Sequence, residues 1–328
     1  MRKEELFRKM KCKGKKIFAM SIAAAVFMSP LTTGYSCDKV NVSAAKKKIS
    51  TVKIGKAVVT TANGKVAVSK KNKTITLNQS GTYTFKGNFG SYRIIMNKRQ
   101  LNVTVRLNGV TMSNSKTACI YNTKKSAGLH IQLVKGTKNV LTGPAAFPEV
   151  TGKTGSKKIS PDGVIMSDGN LKIWGSGSLN VKDTSSNGNA VDSKKDISIT
   201  SGNIFITSKN SGIHADNVNI SGGDISVTSS DTGIKASQKV TVDGGSVLVD
   251  AVDKGIQGRS GVTVKKGSIS IKTRKSSNTK FEDFRGIAAG RSGKSGKTAV
   301  SADLASSIST SASRFFLRSA AFSESKLL

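Results

Sequence analysis

Between Asp162 and Gly290 one phrase returns about every 22 residues. It reads DGVIMSDGNLKIWGSGSL, NAVDSKKDISITSGNI, SGIHADNVNISGGDI, TGIKASQKVTVDGGSV and KGIQGRSGVTVKKGSI, with a last partial copy at RGIAAG. Aligned on the aliphatic residue of "GI", Ile165, Val191, Ile213, Ile234 and Ile256 fall 26, 22, 21 and 22 residues apart, and Ile287 follows 31 later. A glycine near the middle keeps step: Gly177, Gly202, Gly223, Gly245 and Gly267. A fixed period of this length means one supersecondary unit stacked on copies of itself, because a single unit cannot bury its apolar face alone.

The strands within each copy identify the solenoid. DISIT, NIFIT, DISVTS, VTVD, SVLVDA and SISIK alternate apolar and polar residues, the pattern of strands with one buried face. Two such strands, a shorter stretch at "GI", and Gly, Asn, Ser and Asp at the bends make three short strands per coil. The expected fold is all-β, a right-handed parallel β-helix in which equivalent residues of successive coils stack in columns about 4.8 Å apart.

Upstream, eight Lys or Arg within residues 1–16 precede the apolar run IFAMSIAAAVFMS. This is the pattern of an export signal, too short for a permanent membrane span. Ser43, Ala44 and Ala45 offer a cleavage point, so residues 1–45 are read as a signal peptide and the protein as secreted or surface-associated. Cys37 in GYSC lacks the aliphatic residue that lipid anchoring would require three positions earlier. The full chain carries 53 basic and 19 acidic residues; losing residues 1–45 removes nine basic and three acidic ones and lowers the net charge from +34 to +28. Cys119 alone would then remain, which excludes an internal disulfide. Residues 46–73 read as a basic leader or an N-terminal cap over the open strand edge.

The order of ITLNQSGTYTFKGNF, VTVRLNGVTMSNSKTACIYN, IQLVKGTKNVLTG, DGVIMSDGNLKIWGSGSLNV and SGIHADNVNISGGDISVTSSDTGIKAS resembles a bacterial surface carbohydrate-binding family. The resemblance covers residues 74–290. It implies a right-handed parallel β-helix similar in shape to pectate lyases, and a capacity for calcium, cellulose and acidic sugars. Past Gly290 the tail is rich in Ser, Ala and basic residues without strand alternation, and is expected to be irregular or weakly helical.

Two sets of polar residues are candidates for chemistry. Asp162, Asn210, Asp231 and Asp253 each stand three positions before a "GI" aliphatic, and carboxylates one rung apart suit calcium, whose oxygen ligands lie at about 2.3–2.6 Å. The family's acidic positions just after "GI" are matched by Asp196 and Asp216, whereas Ser237 and Arg259 stand near the corresponding places in later coils. The competing reading is that these Asp and Asn residues cap turns, and that nearby Lys and Arg neutralise the column without metal.

Lys194, Lys195, Lys235, Lys254, Arg259 and Arg285 gather near the "GI" bends. They form either a positive strip that attracts polyanions or an ordinary solvated surface. Export and the shortage of repeated aromatics argue against nucleic acid. Trp174, the single tryptophan, points outward by alternation and offers a stacking face for a sugar ring, or packs under a loop. Tyr92 and Tyr121 are weaker candidates. His130 is expected to face solvent and His214 to sit in a bend, too far apart for a metal site.

No nucleophile motif or marked acid pair appears. The expected function is non-catalytic binding of carbohydrate, preferentially acidic polysaccharide or plant cell-wall glycan, by a monomer with no permanent membrane span. Cellulose and anionic cell-wall polymer are further ligands in view. The alternatives are a calcium-dependent, pectate-type polysaccharide lyase and a structural cell-wall adhesin.

Overall fold

Side chains that alternate along a strand must choose a face, and the repeat makes the same choice in every coil. In the computed structural model, residues 49–62, 65–151, 157–274, 285–289, 297–300 and 308–310 are described, all within the compact unit Lys46–Leu328. Residues 1–45, read from the sequence as a signal peptide, lie outside them. The described part is all-β, a solenoid of about 9 turns with about 22 residues per turn. Each regular coil supplies one short strand to a ten-stranded sheet and two to a sixteen-stranded sheet.

The "GI" aliphatics are in register. Ile75, Ile94, Ile120, Ile165, Val191, Ile213, Ile234, Ile256 and Ile287 form one column of parallel-paired residues along the ten-stranded sheet. All but Ile287, which packs partly buried against the core, are essentially inaccessible. On the larger sheet, Leu129, Leu171, Ile197, Val218, Val240 and Val262 make a second column, and Leu179, Ile204, Ile225, Val247 and Ile269 a third. Each aliphatic so buried contributes about 1.5–3 kcal/mol relative to exposure, which makes the narrow core the main source of stability.

The N-terminal edge is closed by antiparallel pairing. Ser50–Ile54 pairs with Ala57–Thr61, and the latter lies antiparallel on Gly81–Gly90. Val66–Ser69 likewise covers Thr74–Leu77. Antiparallel strands at this point satisfy an edge that would otherwise template another chain. Beyond Gly290, where no strand is expected from the sequence, Lys297–Val300 and Ile308–Thr310 pair in parallel with Gly261–Thr273. The free edge of the preceding coil supplies hydrogen-bond partners even to a segment of weak alternation.

One insertion interrupts the regular coil. Between Thr142 and Asp162 the chain makes a small antiparallel pair, Glu149–Thr151 with Lys157–Ile159, and buries Phe147. Phe147 N–H donates to Asn187 Oδ1 at 2.9 Å and its carbonyl accepts from Asn187 Nδ2 at 3.0 Å. A Cβ on Gly188 would lie 2.1 Å from the Phe147 ring. That contact explains why glycine replaces Asp or Asn at this one position of the repeat. The strands Gly163–Ser167 and Asn189–Ser193 are buried along their whole length, on the outward-facing side as well as in the core.

Candidate functional site

Register on the outer face of the sixteen-stranded sheet assembles a mixed aromatic, cationic and amide patch. Arg106, Gln132 and Trp174 are cross-strand partners in successive coils, on the strands Asn102–Ser113, Gly128–Leu133 and Leu171–Gly175. Thr104, His130 and Lys172 form the neighbouring column. Leu171 and Ile173 are buried and Trp174 lies half-buried on the outside, the orientation that alternation predicts. His130 meets the Trp174 ring edge-on, with centroids 5.7 Å apart, and Lys172 Nζ lies 5.6 Å from the Trp174 centroid. Burial, and then the Lys172 ammonium, hold the His130 imidazole below its usual range, favouring the neutral ring. Arg106 Nε is without a hydrogen-bond partner among the described residues.

Trp174 is thus the only one of these residues that the sequence marks for contact with a sugar; for His130 it predicts only a solvent-facing position. Arg106, His130, Gln132 and Lys172 were legible in principle: VTVRL, LHIQL and LKIWG place their polar members on one face once the coils are set in register. The missing signal was the register itself, because two of the three strands precede the clear part of the repeat.

The basic residues proposed for the strip divide. Lys194 and Lys254 are committed to carboxylates: Lys194 Nζ lies 2.5 Å from Asp162 Oδ2 and 3.5 Å from Asp192 Oδ1, and Lys254 Nζ donates to both oxygens of Asp253 at 2.6 and 2.9 Å. Lys195 and Arg259 are exposed and Lys235 is half-buried, and among the described residues none of the three pairs with a carboxylate. Arg285 begins the strand Arg285–Ala289, while its side chain lies outside what is described.

The residues of the acidic column hydrogen-bond within and between coils. Asp231 Oδ2 accepts from Ser211 Oγ at 2.9 Å, and Asp196 Oδ1 from Asn217 Nδ2 at 2.8 Å. Asn210 serves the bend through its backbone, its N–H donating to Ser208 Oγ and its carbonyl accepting from Ser229 Oγ. Asp216 is half-buried and its backbone bridges coils, N–H to Lys195 O and carbonyl from Gln238 N. Among the described residues no group of three or more His, Cys, Asp or Glu is arranged to hold a metal ion. Serine, asparagine and lysine side chains engage one or both oxygens of Asp162, Asp196, Asp231 and Asp253.

A further polar cluster brings His214 and Tyr121 near Asp192 and Asn189, which the sequence did not mark. Asp192, fully buried, accepts from Asn189 Nδ2 at 2.7 Å and lies 2.8 Å from His214 Nδ1. His214 therefore faces a carboxylate in the ladder. Tyr121, 3.5 Å from Ser160 Oγ, closes the cluster, and burial raises its hydroxyl's pKa. Tyr92 sits under Lys73 Nζ, 5.2 Å from the ring centroid.

Among the described residues no helix is long and apolar enough to cross a membrane. No curated protein sequence matches the chain. A solved structure described as the polysaccharide lyase-like protein from C. thermocellum, in a gadolinium derivative, superposes with a TM-score of 0.63 at 24% identity, covering 74% of this chain and 91% of its own. At that identity the likeness concerns the fold. The family described as carbohydrate-binding domain-containing protein matches residues 71–315, past the boundary at Gly290 drawn from the sequence and across the two added strands, and the chain belongs to that family.

Proposed function

We propose that the protein is exported and binds acidic polysaccharide, such as plant cell-wall uronate polymer, without catalysis, on the face carrying Arg106, His130, Gln132, Lys172 and Trp174. The observation that carries this reading is the register that sets an accessible indole beside a guanidinium, an ammonium, an amide and a neutral imidazole. An indole face takes the apolar side of a sugar ring, while amide and imidazole take hydroxyls. Arg106 can hold a carboxylate through its fork of donors, and Lys172 adds charge. Lys195, Lys235 and Arg259 extend the positive field toward a long polyanion. None of these contacts is routed through a metal.

Titration of polygalacturonate and of soluble cello-oligosaccharide into wild type and Trp174→Ala tests it. Loss of a stacking contact of about 1 kcal/mol weakens uronate binding about fivefold, with an unchanged melting temperature. Equal affinity of the variant, or equal affinity for the neutral ligand at low salt, would remove the assignment. Appearance of ultraviolet-absorbing unsaturated uronates would establish a lyase instead.

A further inference from the structure

On the outer side of the ten-stranded sheet, two successive coils aim carboxylates at one ammonium group. Asp162 immediately precedes Gly163–Ser167, and Asp192 lies in the neighbouring strand Asn189–Ser193. Lys194 Nζ reaches both, at 2.5 and 3.5 Å. The Asp192 side chain is fully inaccessible and that of Asp162 is 21% exposed. Asn189 and His214 hold Asp192 in place through Oδ2. Asp162 Oδ1 and Asp192 Oδ1 are both buried and accept no hydrogen bond.

The buried carboxylate of Asp183 is a useful contrast. Its oxygens accept from Ser185 N–H, Ser185 Oγ and Ser208 Oγ at 2.9, 2.6 and 2.7 Å, so neutral donors suffice there. Asp162 and Asp192 have no such set, and they repel one another: burial first, and Asp192 second, push the Asp162 carboxyl above its usual range. A cation between its members lets both stay ionised. The two carboxylates also raise the Lys194 ammonium's pKa, against the opposing effect of its own burial.

We propose that the Lys194 ammonium is the resident cation of this inter-coil position, doing what a divalent metal ion would do between two rungs, and that the position accepts a divalent ion once the ammonium is removed. A cation tethered to the chain has no dissociation equilibrium with solvent, so this coil pair resists chelation, whereas an ion would be lost by mass action. Truncation at Lys194 leaves carboxylate oxygens from two rungs around the vacated space, and the two without hydrogen bonds are free to coordinate. Calcium–oxygen distances are about 2.3–2.6 Å, so an ion at the Lys194 Nζ position, 2.5 Å from Asp162 Oδ2 and 3.5 Å from Asp192 Oδ1, would have to draw Asp192 inward.

Melting temperatures of the full chain, Lys194→Ala and Lys194→Met, in chelator and in calcium chloride, test the proposal. Lys194→Ala should melt below wild type in chelator and recover by about 5 °C at calcium about 100 times its dissociation constant. Lys194→Met, which keeps most of the stem's bulk and loses the charge, should be destabilised without recovery. If Lys194→Ala fails to fold in chelator, recovery of folded protein on refolding in calcium gives the same information. A calcium response in Lys194→Ala no larger than that of wild type, or one equally large in Lys194→Met, overturns the proposal.

Discussion

His130 is subject to two effects of the same sign. Burial disfavours the imidazolium, and the Lys172 ammonium across the ladder adds repulsion. A histidine whose folded pKa is depressed contributes stability that is present above the unfolded value of about 6.5 and is lost as pH falls through the folded value. Nuclear magnetic resonance should therefore place the His130 midpoint below that of an unfolded histidine. Lys172→Met should raise it without restoring it, since burial is the larger cause; an unchanged midpoint in the variant would contradict the assignment. Cys119 gives a second test at this scale. It is fully buried, its S–H donates to Thr142 O at 3.3 Å, and burial pushes the thiol up to about 12, against the opposing effect of backbone hydrogen bonds from Asn114 and Thr142. Because thiolate is the reactive form, peptide mapping after iodoacetamide at mildly alkaline pH should find Cys119 unmodified in native protein and alkylated after denaturation. Labelling in the native state would show that this part of the core opens.

Within a coil, the glycine of "GI" is a packing requirement. A Cβ on Gly233 would lie 2.3 Å from Val249 Cγ1 and 2.7 Å from the Gly255 carbonyl oxygen, one coil on. Gly212 and Gly255 are equally confined. Gly233→Ala should destabilise by about 1–3 kcal/mol, the cost of overpacking a filled core, visible as a lower urea midpoint. No loss of stability would mean that the coils separate more easily than their register implies. Gly223 has a different reason, a left-handed φ of 96° at the bend where its neighbour in the next coil, Gly245, also turns. The repeat made both glycine columns legible, because periodicity records whatever every coil needs. It could not disclose the reason for Gly188, whose neighbour Phe147 comes from an earlier segment outside the period. The same limit hid the Asp192–His214 contact: His214 looks like a bend residue until the ladder pairs it with Asp192. The acidic column was legible as a spacing only. Serine, asparagine and lysine side chains within and between coils compete for its oxygens, and their rotamers leave no trace in a one-dimensional pattern.

For the whole chain, charge and contact separate cleanly. A net charge of +34 creates a field that attracts any polyanion regardless of its structure, whereas the Trp174 patch occupies one face of three coils. The field reaches only as far as salt allows, with a screening length of about 10 Å at 0.1 M and about 3 Å at 1 M. Stacking at Trp174 acts at contact distance and is not screened. Raising salt from about 50 mM to about 500 mM should therefore weaken polygalacturonate binding at least about tenfold, mainly by slowing association, while leaving neutral oligosaccharide binding nearly constant. The ratio of wild-type to Trp174→Ala affinity should hold across that range. A ratio that collapsed toward unity at high salt would mean that Trp174 acts only while charge holds the polymer down, and a salt-independent affinity would mean that the excess of lysine serves some end other than recognition. Measured together, the two dependences assign the long-range part of recognition to the solenoid's charge and the short-range part to one indole and its cross-strand neighbours.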